Sequence, residues 1–199
     1  MWYYNAQIIK TPKTMVIDNI TYPKAIFRNS DTLASLGIKP YSETTPDNRY
    51  YHNGAYTVDT SGDEVVGTYA GTARDVATLK ASMLDTINSQ VASKQGAIDW
   101  YWARADKGGT AVPSNIATYA TTIYSEQATK EGEVNALSTL DAIKLYEAKP
   151  HTEVRKVDNG DGTYGPATTS STRHINMLQH WTANPNDEVD PAFVSLTAD

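Results

Sequence analysis

The feature that most constrains this fold is a pair of amphipathic helical patterns separated by a short break. The first pattern opens with the capping signal Thr72-x-x-Asp75, and the second runs up to Pro150. Between them, residues 107–109 read Lys-Gly-Gly and Pro113 follows, and glycine and proline both interrupt helices. Because the break is short, we expect two long helices of about 30 residues each, packed antiparallel as a helical hairpin.

Apolar residues recur near every third or fourth position in both predicted helices, which places them on one helical face. In the first helix they are Val76, Leu79, Met83, Leu84, Ile87 and Val91; in the second they are Ile116, Tyr119, Ala120, Ile123, Val134, Leu137, Leu140 and Ile143. Gly96 marks a point where the first helix is expected to kink or break.

Three adjacent aromatic residues, Trp100, Tyr101 and Trp102, stand just before the break. We favour the interpretation in which alternate members of this run face the hairpin core and close its open end, because clustered aromatic residues at a helix end usually pack. The alternative is an exposed patch that stacks on sugar rings or meets another protein. The chain has 13 Tyr and 4 Trp but only 2 Phe, a bias towards rings that suit a boundary with solvent or another subunit.

Residues 1–71 are predicted to form a β-rich N-terminal lobe with one short helix. Two β-rich runs flank Asp18-Asn19, a pair that favours a tight hairpin turn. The short helix should begin at Ser30 or Asp31 as its cap and stop at Gly37.

Residues 150–199 are predicted to be a loop-rich, extended C-terminal arm with a short hairpin at 158–164. Such an arm has too few apolar residues for a core of its own, so we expect it to lie on the helices or on a neighbouring subunit. With residues 72–149 as the helical hairpin, the predicted fold class is α+β.

The sequence offers no convincing site for chemistry, so we predict no catalytic, cofactor-binding or metal-binding residues and no enzymatic activity. The 158–162 run resembles a calcium loop only in part, because Gly160 stands at the third position and no Glu at the twelfth. The four histidines lack metal-ligand spacing, and the chain has no cysteine. A plain turn and ordinary histidines are the favoured interpretations.

The net charge and the lengths of the apolar runs limit the kinds of partner that we expect. The formal net charge is −6, which argues against nucleic acid as a partner because a polyphosphate needs clustered Lys and Arg. No apolar run approaches the ~18 residues of a membrane span, and the first residues do not read as a secretion signal. We therefore expect neither membrane insertion nor secretion.

Several short motifs are weakly specific one by one, but their order along the chain is more specific. In chain order they are the hairpin at 16–23, Ser35-Leu36-Gly37-Ile38, the Pro-Asp-Asn-Arg-Tyr-Tyr run at 46–51, the helix start at 75–80, the Asp-Trp-Tyr-Trp-Ala-Arg run at 99–104, Val112-Pro113 and the Ile-Ala-Thr-Tyr run at 116–119. Over residues 14–125 this order resembles tail-fibre and tail-associated (baseplate or fibre) structural proteins of tailed bacteriophages. The shared motifs are structural, so the resemblance assigns no functional residue.

This resemblance implies a structural component of a virion tail, in a fibre, baseplate or adaptor. Its partners would be other virion tail proteins and copies of itself, and it would reside in the virion after assembly in the host cytoplasm. Two alternatives stay open: a receptor- or glycan-binding module of the tail that contacts a host surface glycan, and a fibre-assembly chaperone.

Overall fold

The computed structural model describes residues 1–188 and 190–198. The chain is an α+β protein, as the sequence predicts. It divides into two compact units, Met1–Arg74 and Asp75–Asp199, each with its own β-sheet. The long helices and the C-terminal strands belong to the same unit.

The first unit is built on a five-stranded sheet with one separate hairpin. The sheet strands are β1 (Trp2–Tyr4), β2 (Gln7–Ile9), β5 (Lys39–Thr44), β6 (Tyr51–Asp59) and β7 (Val65–Ala73), and the hairpin strands are β3 (Met15–Ile17) and β4 (Ile20–Tyr22). The sheet order is β2-β1-β5-β7-β6. Strands β5 and β7 run parallel, and the other neighbours in this sheet are antiparallel.

Local sequence signals account for the turns of this unit. Asp18 and Asn19 join β3 to β4 with φ of 50° and 63°, the left-handed conformation of a tight hairpin turn, so this prediction is confirmed. The short helix α1 (Ser30–Ser35) is also confirmed, with Gly37 at φ 69° after it. Its cap is one residue earlier than predicted, since the side chain of Asn29 accepts a hydrogen bond from the Thr32 amide at 2.9 Å.

Apolar side chains from the hairpin, α1 and a short 3₁₀ helix (Lys24–Arg28) form a common core with the sheet; they are Ile9, Ile17, Ile26, Phe27, Leu33 and Ile38. On strands β5 and β6 of the same sheet, the hydroxyls of Tyr41 and Tyr56 contact each other. The Tyr41 hydroxyl also donates a hydrogen bond to the Glu43 carboxylate at 3.0 Å. Both tyrosine hydroxyls lie against Gly67, where a Cβ atom would overlap them. Any larger residue at this position would therefore force the two hydroxyl groups to shift.

The second unit contains four α-helices, α2 (Val76–Gly96), α3 (Asp99–Asp106), α4 (Ser114–Ala136) and α5 (Leu140–Glu147). The predicted length of about 30 residues for each helix is wrong, although the break expected at Gly96 is present. The first stops at Gly96, before a separate α3. The second breaks before Thr139, whose hydroxyl accepts from the Ala142 amide at 3.1 Å and so caps a new helix.

Helices α2 and α4 pack side by side. Hydrogen bonds join Lys80 Nζ to the Asn135 carbonyl at 2.7 Å, and Gln95 Nε2 to the Ala120 carbonyl at 3.1 Å. Residue numbers therefore rise along α2 as they fall along α4, so the two helices run in opposite directions. The buried residues of the pair are Met83, Ile87 and Val91 from α2 and Ile116, Tyr119, Ala120, Ile123, Lys130 and Val134 from α4.

The C-terminal region forms more regular structure than the predicted loop-rich arm. Strands β8 (Lys149–Asp158), β9 (Tyr164–Ile175) and β10 (Phe193–Ala198) make an antiparallel sheet in the order β10-β8-β9. The predicted turn after Asp158 does join β8 to β9, but the hairpin is long, with strands of 10 and 12 residues. Threonine is frequent in β9, and its β-branched side chain suits a strand.

Candidate contact surfaces

Helix α3 carries three aromatic side chains and one arginine, which we call the α3 cluster (Trp100, Tyr101, Trp102 and Arg104). The two tryptophans are exposed, whereas Tyr101 and Arg104 are partly buried. None of the α3 residues is buried, and Trp100 and Trp102 are 50% and 36% exposed. The favoured prediction that alternate members of the run pack into a hairpin core is therefore wrong for the two tryptophans, while Tyr101 between them is partly buried. The residue buried at this corner is Ile98, with 0% exposure, just before α3 begins.

The α3 cluster is a stacked arrangement. The rings of Trp100 and Tyr101 lie 3.8 Å apart between centroids and are tilted by 30°. The Arg104 guanidinium lies over both rings, 4.9 Å from the Trp100 centroid and 5.4 Å from that of Tyr101. A flat surface of this kind suits the apolar face of a sugar ring or a side chain of another protein.

The turn after α3 holds Arg104 in place. The Gly109 amide donates a hydrogen bond to the Arg104 carbonyl at 3.0 Å. A Cβ atom at Gly109 would stand 2.8 Å from Arg104, so the close approach needs glycine. The 107–109 break that the sequence shows thus lies directly against the backbone of Arg104.

Residues 176–188, which we call the strap, lie across α2 and α4. The Trp181 indole N–H donates to Gln90 of α2 at 2.6 Å and to the Leu178 carbonyl at 2.8 Å. From α4, Glu126 accepts from the amide of Thr182 at 3.1 Å and from its hydroxyl at 2.5 Å. The expectation that the C-terminal region lies on the helices is met in this segment.

Lys130 of α4 is the buried cation beneath the strap, with 5% exposure. Its ammonium donates to the Met177 carbonyl and lies 4.9 Å from the centre of the Trp181 ring. Burial lowers the pKa of Lys130, while the charges of Glu126 and Glu133 act in the opposite direction. The sequence analysis missed this residue, although position 130 follows Ile123 and precedes Val134 on the apolar face of α4.

Two histidines that are distant in sequence meet beside the strap. The rings of His151 and His180 lie 6.1 Å apart, and His151 is 4% exposed. Burial lowers the pKa of His180, and the nearby charges of Lys130 and His151 lower it further, while Glu126 opposes them. No group of three or more metal-ligating side chains occurs within residues 1–188 and 190–198.

A groove of about 630 Å³ runs along α4 next to the strap. Five of its ten lining residues are threonine or serine; the lining is Thr118, Thr121, Thr122, Ser125, Glu126, Thr129, Lys130, Glu133, Met177 and His180. Glu133 accepts a hydrogen bond from the Tyr146 hydroxyl at 2.9 Å, and burial raises the pKa of that tyrosine. The charged groups of this groove are therefore engaged in holding the chain together.

The acidic turn at 158–163 is organised by its own hydrogen bonds. Asp158 accepts from the Gly160 amide at 2.8 Å, and Asp161 accepts from the amide and hydroxyl of Thr163 at 2.9 and 2.6 Å. These bonds are typical of a turn that carboxylates stabilise internally. They agree with the favoured interpretation of a plain turn.

No known family model, curated protein or solved structure matches this chain. Within the described residues, no helix is both long and apolar enough to cross a membrane. Functional inference therefore depends on the surfaces of the molecule and on the motif order in its sequence.

Proposed function

We propose that this protein is a structural component of a bacteriophage tail, in a fibre, baseplate or adaptor, and acts through subunit–subunit contacts. The observation that carries the proposal is the exposure of the α3 cluster, where Trp100 and Trp102 are 50% and 36% exposed. Large aromatic side chains left in solvent contribute little to a single chain, but they are favoured at protein interfaces. The motif order over residues 14–125 supports the same assignment.

Three charged side chains of α4, of which only Lys130 is buried, support a structural role as well. Lys130 donates to a strap carbonyl, Glu126 accepts from Thr182, and Glu133 accepts from Tyr146. Each of these groups binds one part of the chain to another. Their hydrogen bonds favour a rigid building block in which the strap stays fixed on the helices.

The location of the protein on intact particles tests this proposal. Antibodies raised against the purified chain, visualised by electron microscopy, should label the tails of particles and leave their heads unlabelled. Labelling of the free protein is the positive control. If the antibodies bind the free protein but do not label particles that mild denaturant has opened, the proposal is overturned. The same result combined with abundant protein in the infected-cell lysate would favour the chaperone alternative.

A glycan-binding role is the second candidate, because the exposed ring of Trp100 stacks on the partly buried ring of Tyr101, with Arg104 beside both. If this role is correct, Trp100→Ala should abolish binding to a host surface glycan in calorimetry while the chain stays folded. Tyr124→Ala is the matched control, since Tyr124 is also an exposed aromatic residue, at 58%, but lies on α4. Equal binding by wild type and Trp100→Ala would exclude the α3 cluster as the glycan site.

A further inference from the structure

Strand β9 presents a long open edge. It is the outer strand of the β10-β8-β9 sheet, and its 12 residues pair only with β8 within the described part of the chain. Residues 166–174 are all exposed, so neither face of this strand is covered. Backbone N–H and C=O groups on such an edge are available to another strand.

The middle of this edge lacks the features by which proteins prevent strand pairing. Residues 167–172 read Ala-Thr-Thr-Ser-Ser-Thr, without charge, proline or glycine. Their pairing with β8 continues without a bulge from Lys149 opposite Ile175 to Lys156 opposite Thr168. Pro166 and Arg173 flank this run, so the stretch of β9 that is suited to pairing with another strand is residues 167–172.

The charges at the two ends of β9 indicate which strand fits. The acidic turn with Asp158 and Asp161 precedes the strand, and Arg173 and His174 end it. The Arg173 side chain is 60% exposed even though it contacts Glu153 at 3.2 Å. In an antiparallel pair of two β9 strands, the acidic start of each strand lies beside the basic end of the other. A parallel pair would place like charges together.

We propose that β9 pairs antiparallel with β9 of a second copy of this chain and joins the two three-stranded sheets into one. The contact is isologous, so one two-fold axis closes it. The charges match best when this axis passes near Thr169. In that register, Arg173 of one copy lies opposite Gly165 of the other copy, close to the acidic turn of that copy. Threonine and serine pairs then face each other across the axis on both sides of the sheet. This inference deepens the proposed function by identifying the surface for contact between copies, and it rests on that proposal only for its biological setting.

Sedimentation of the purified full-length chain over a concentration series tests the pairing in solution. We expect a dimer that dissociates on dilution, and a Thr169→Lys variant whose dissociation constant rises roughly fivefold or more, because like charges then oppose each other at the axis. An equimolar mixture of Thr169→Lys and Thr169→Glu should restore the dimer. A wild type that stays monomeric at every concentration, or a dimer insensitive to Thr169→Lys, overturns the proposal.

Thr57→Lys is the matched control, since Thr57 is an exposed threonine on β6, an edge strand of the sheet in the other unit. It should leave the dimer intact, and an equal weakening would contradict the assignment to β9. Circular dichroism of each variant should match that of wild type.

Cross-linking determines the strand direction independently. Because the chain has no cysteine, a single-cysteine variant reports on one position alone. Thr169→Cys should form disulfide-linked dimers readily. Arg173→Cys should not, since two copies of position 173 lie about 27 Å apart in the antiparallel pair. Equal cross-linking at both positions indicates a parallel pair and overturns the proposal. Absence of the protein from particles, with the dimer intact, would instead refute only the tail assignment.

Discussion

Replacing Trp181 by alanine should destabilise the chain far more than the same replacement at Trp100, because the two side chains have different surroundings. The Trp181 indole fastens the strap to α2 through Gln90 at 2.6 Å and lies 4.9 Å from the Lys130 ammonium. Removal of a buried tryptophan costs about 3–5 kcal/mol. Since Trp181 is only half-buried, we expect a loss of about 3 kcal/mol from the free energy of unfolding, at the lower end of that range.

Trp100 is half exposed and contacts chiefly Tyr101 and Arg104. Loss of the ring pair costs about 0.5–1.5 kcal/mol, and loss of an exposed cation–π contact costs about 0.5–1 kcal/mol. The higher helix propensity of alanine returns up to about 0.7 kcal/mol. The expected net loss for Trp100→Ala is therefore about 1 kcal/mol.

Urea denaturation of the intact chain measures both values. The helical circular dichroism signal is the right probe, because helices α2–α5 all lie in the unit that contains both tryptophans. Equal losses for the two variants would refute this reasoning. A Trp100→Ala chain that fails to fold would show that the ring belongs to the core, as the sequence first indicated.

The remaining predictions concern backbone fit and pH. Gly132→Ala in the interior of α4 should raise the free energy of unfolding by up to about 1 kcal/mol, since nothing lies within 4 Å of the added Cβ. Urea denaturation measures this change, and a lower free energy of unfolding would contradict an open helical site. Gly67→Ala should destabilise the first unit by about 1–3 kcal/mol, because the Cβ would overlap the hydroxyls of Tyr41 and Tyr56. Proteolysis of that unit should become faster, and an unchanged rate of proteolysis would count against the overlap. Burial lowers the pKa of His180 in the folded chain below 6.5, so unfolding takes up a proton at acidic pH. The stability that His180 contributes should therefore be fully present above pH 6.5 and fall as the pH drops towards the folded pKa. In thermal melts at several pH values, His180→Gln should make this fall smaller. The same dependence of melting temperature on pH in both proteins would show that His180 does not cause the fall.

Local signals in the sequence predicted most of the turns and caps. Asp18-Asn19 tolerates positive φ, and Gly37 ends a helix, because these preferences depend only on the residue and its neighbours. The apolar spacing of α2 and α4 likewise predicted the buried residues Met83, Ile87 and Ile123.

Features that depend on distant residues were missed. Lys130 is buried because the strap, about 50 residues later, supplies a carbonyl and an aromatic ring. The exposure of Trp100 follows from a helix break that turns α3 away from the core, and apolar content alone cannot show this. Strand β9 was read as loop because threonine and serine serve both structures, and only its pairing with β8 decides between them.

Quantitative mass spectrometry of purified particles tests whether this protein is a structural component of the tail. A structural tail component should be present in a fixed number of copies per particle, in constant ratio to the other tail proteins, and should remain with tails after they are separated from heads. Absence from purified particles, or a level that varies between preparations while the infected-cell lysate contains the protein, would contradict the claim.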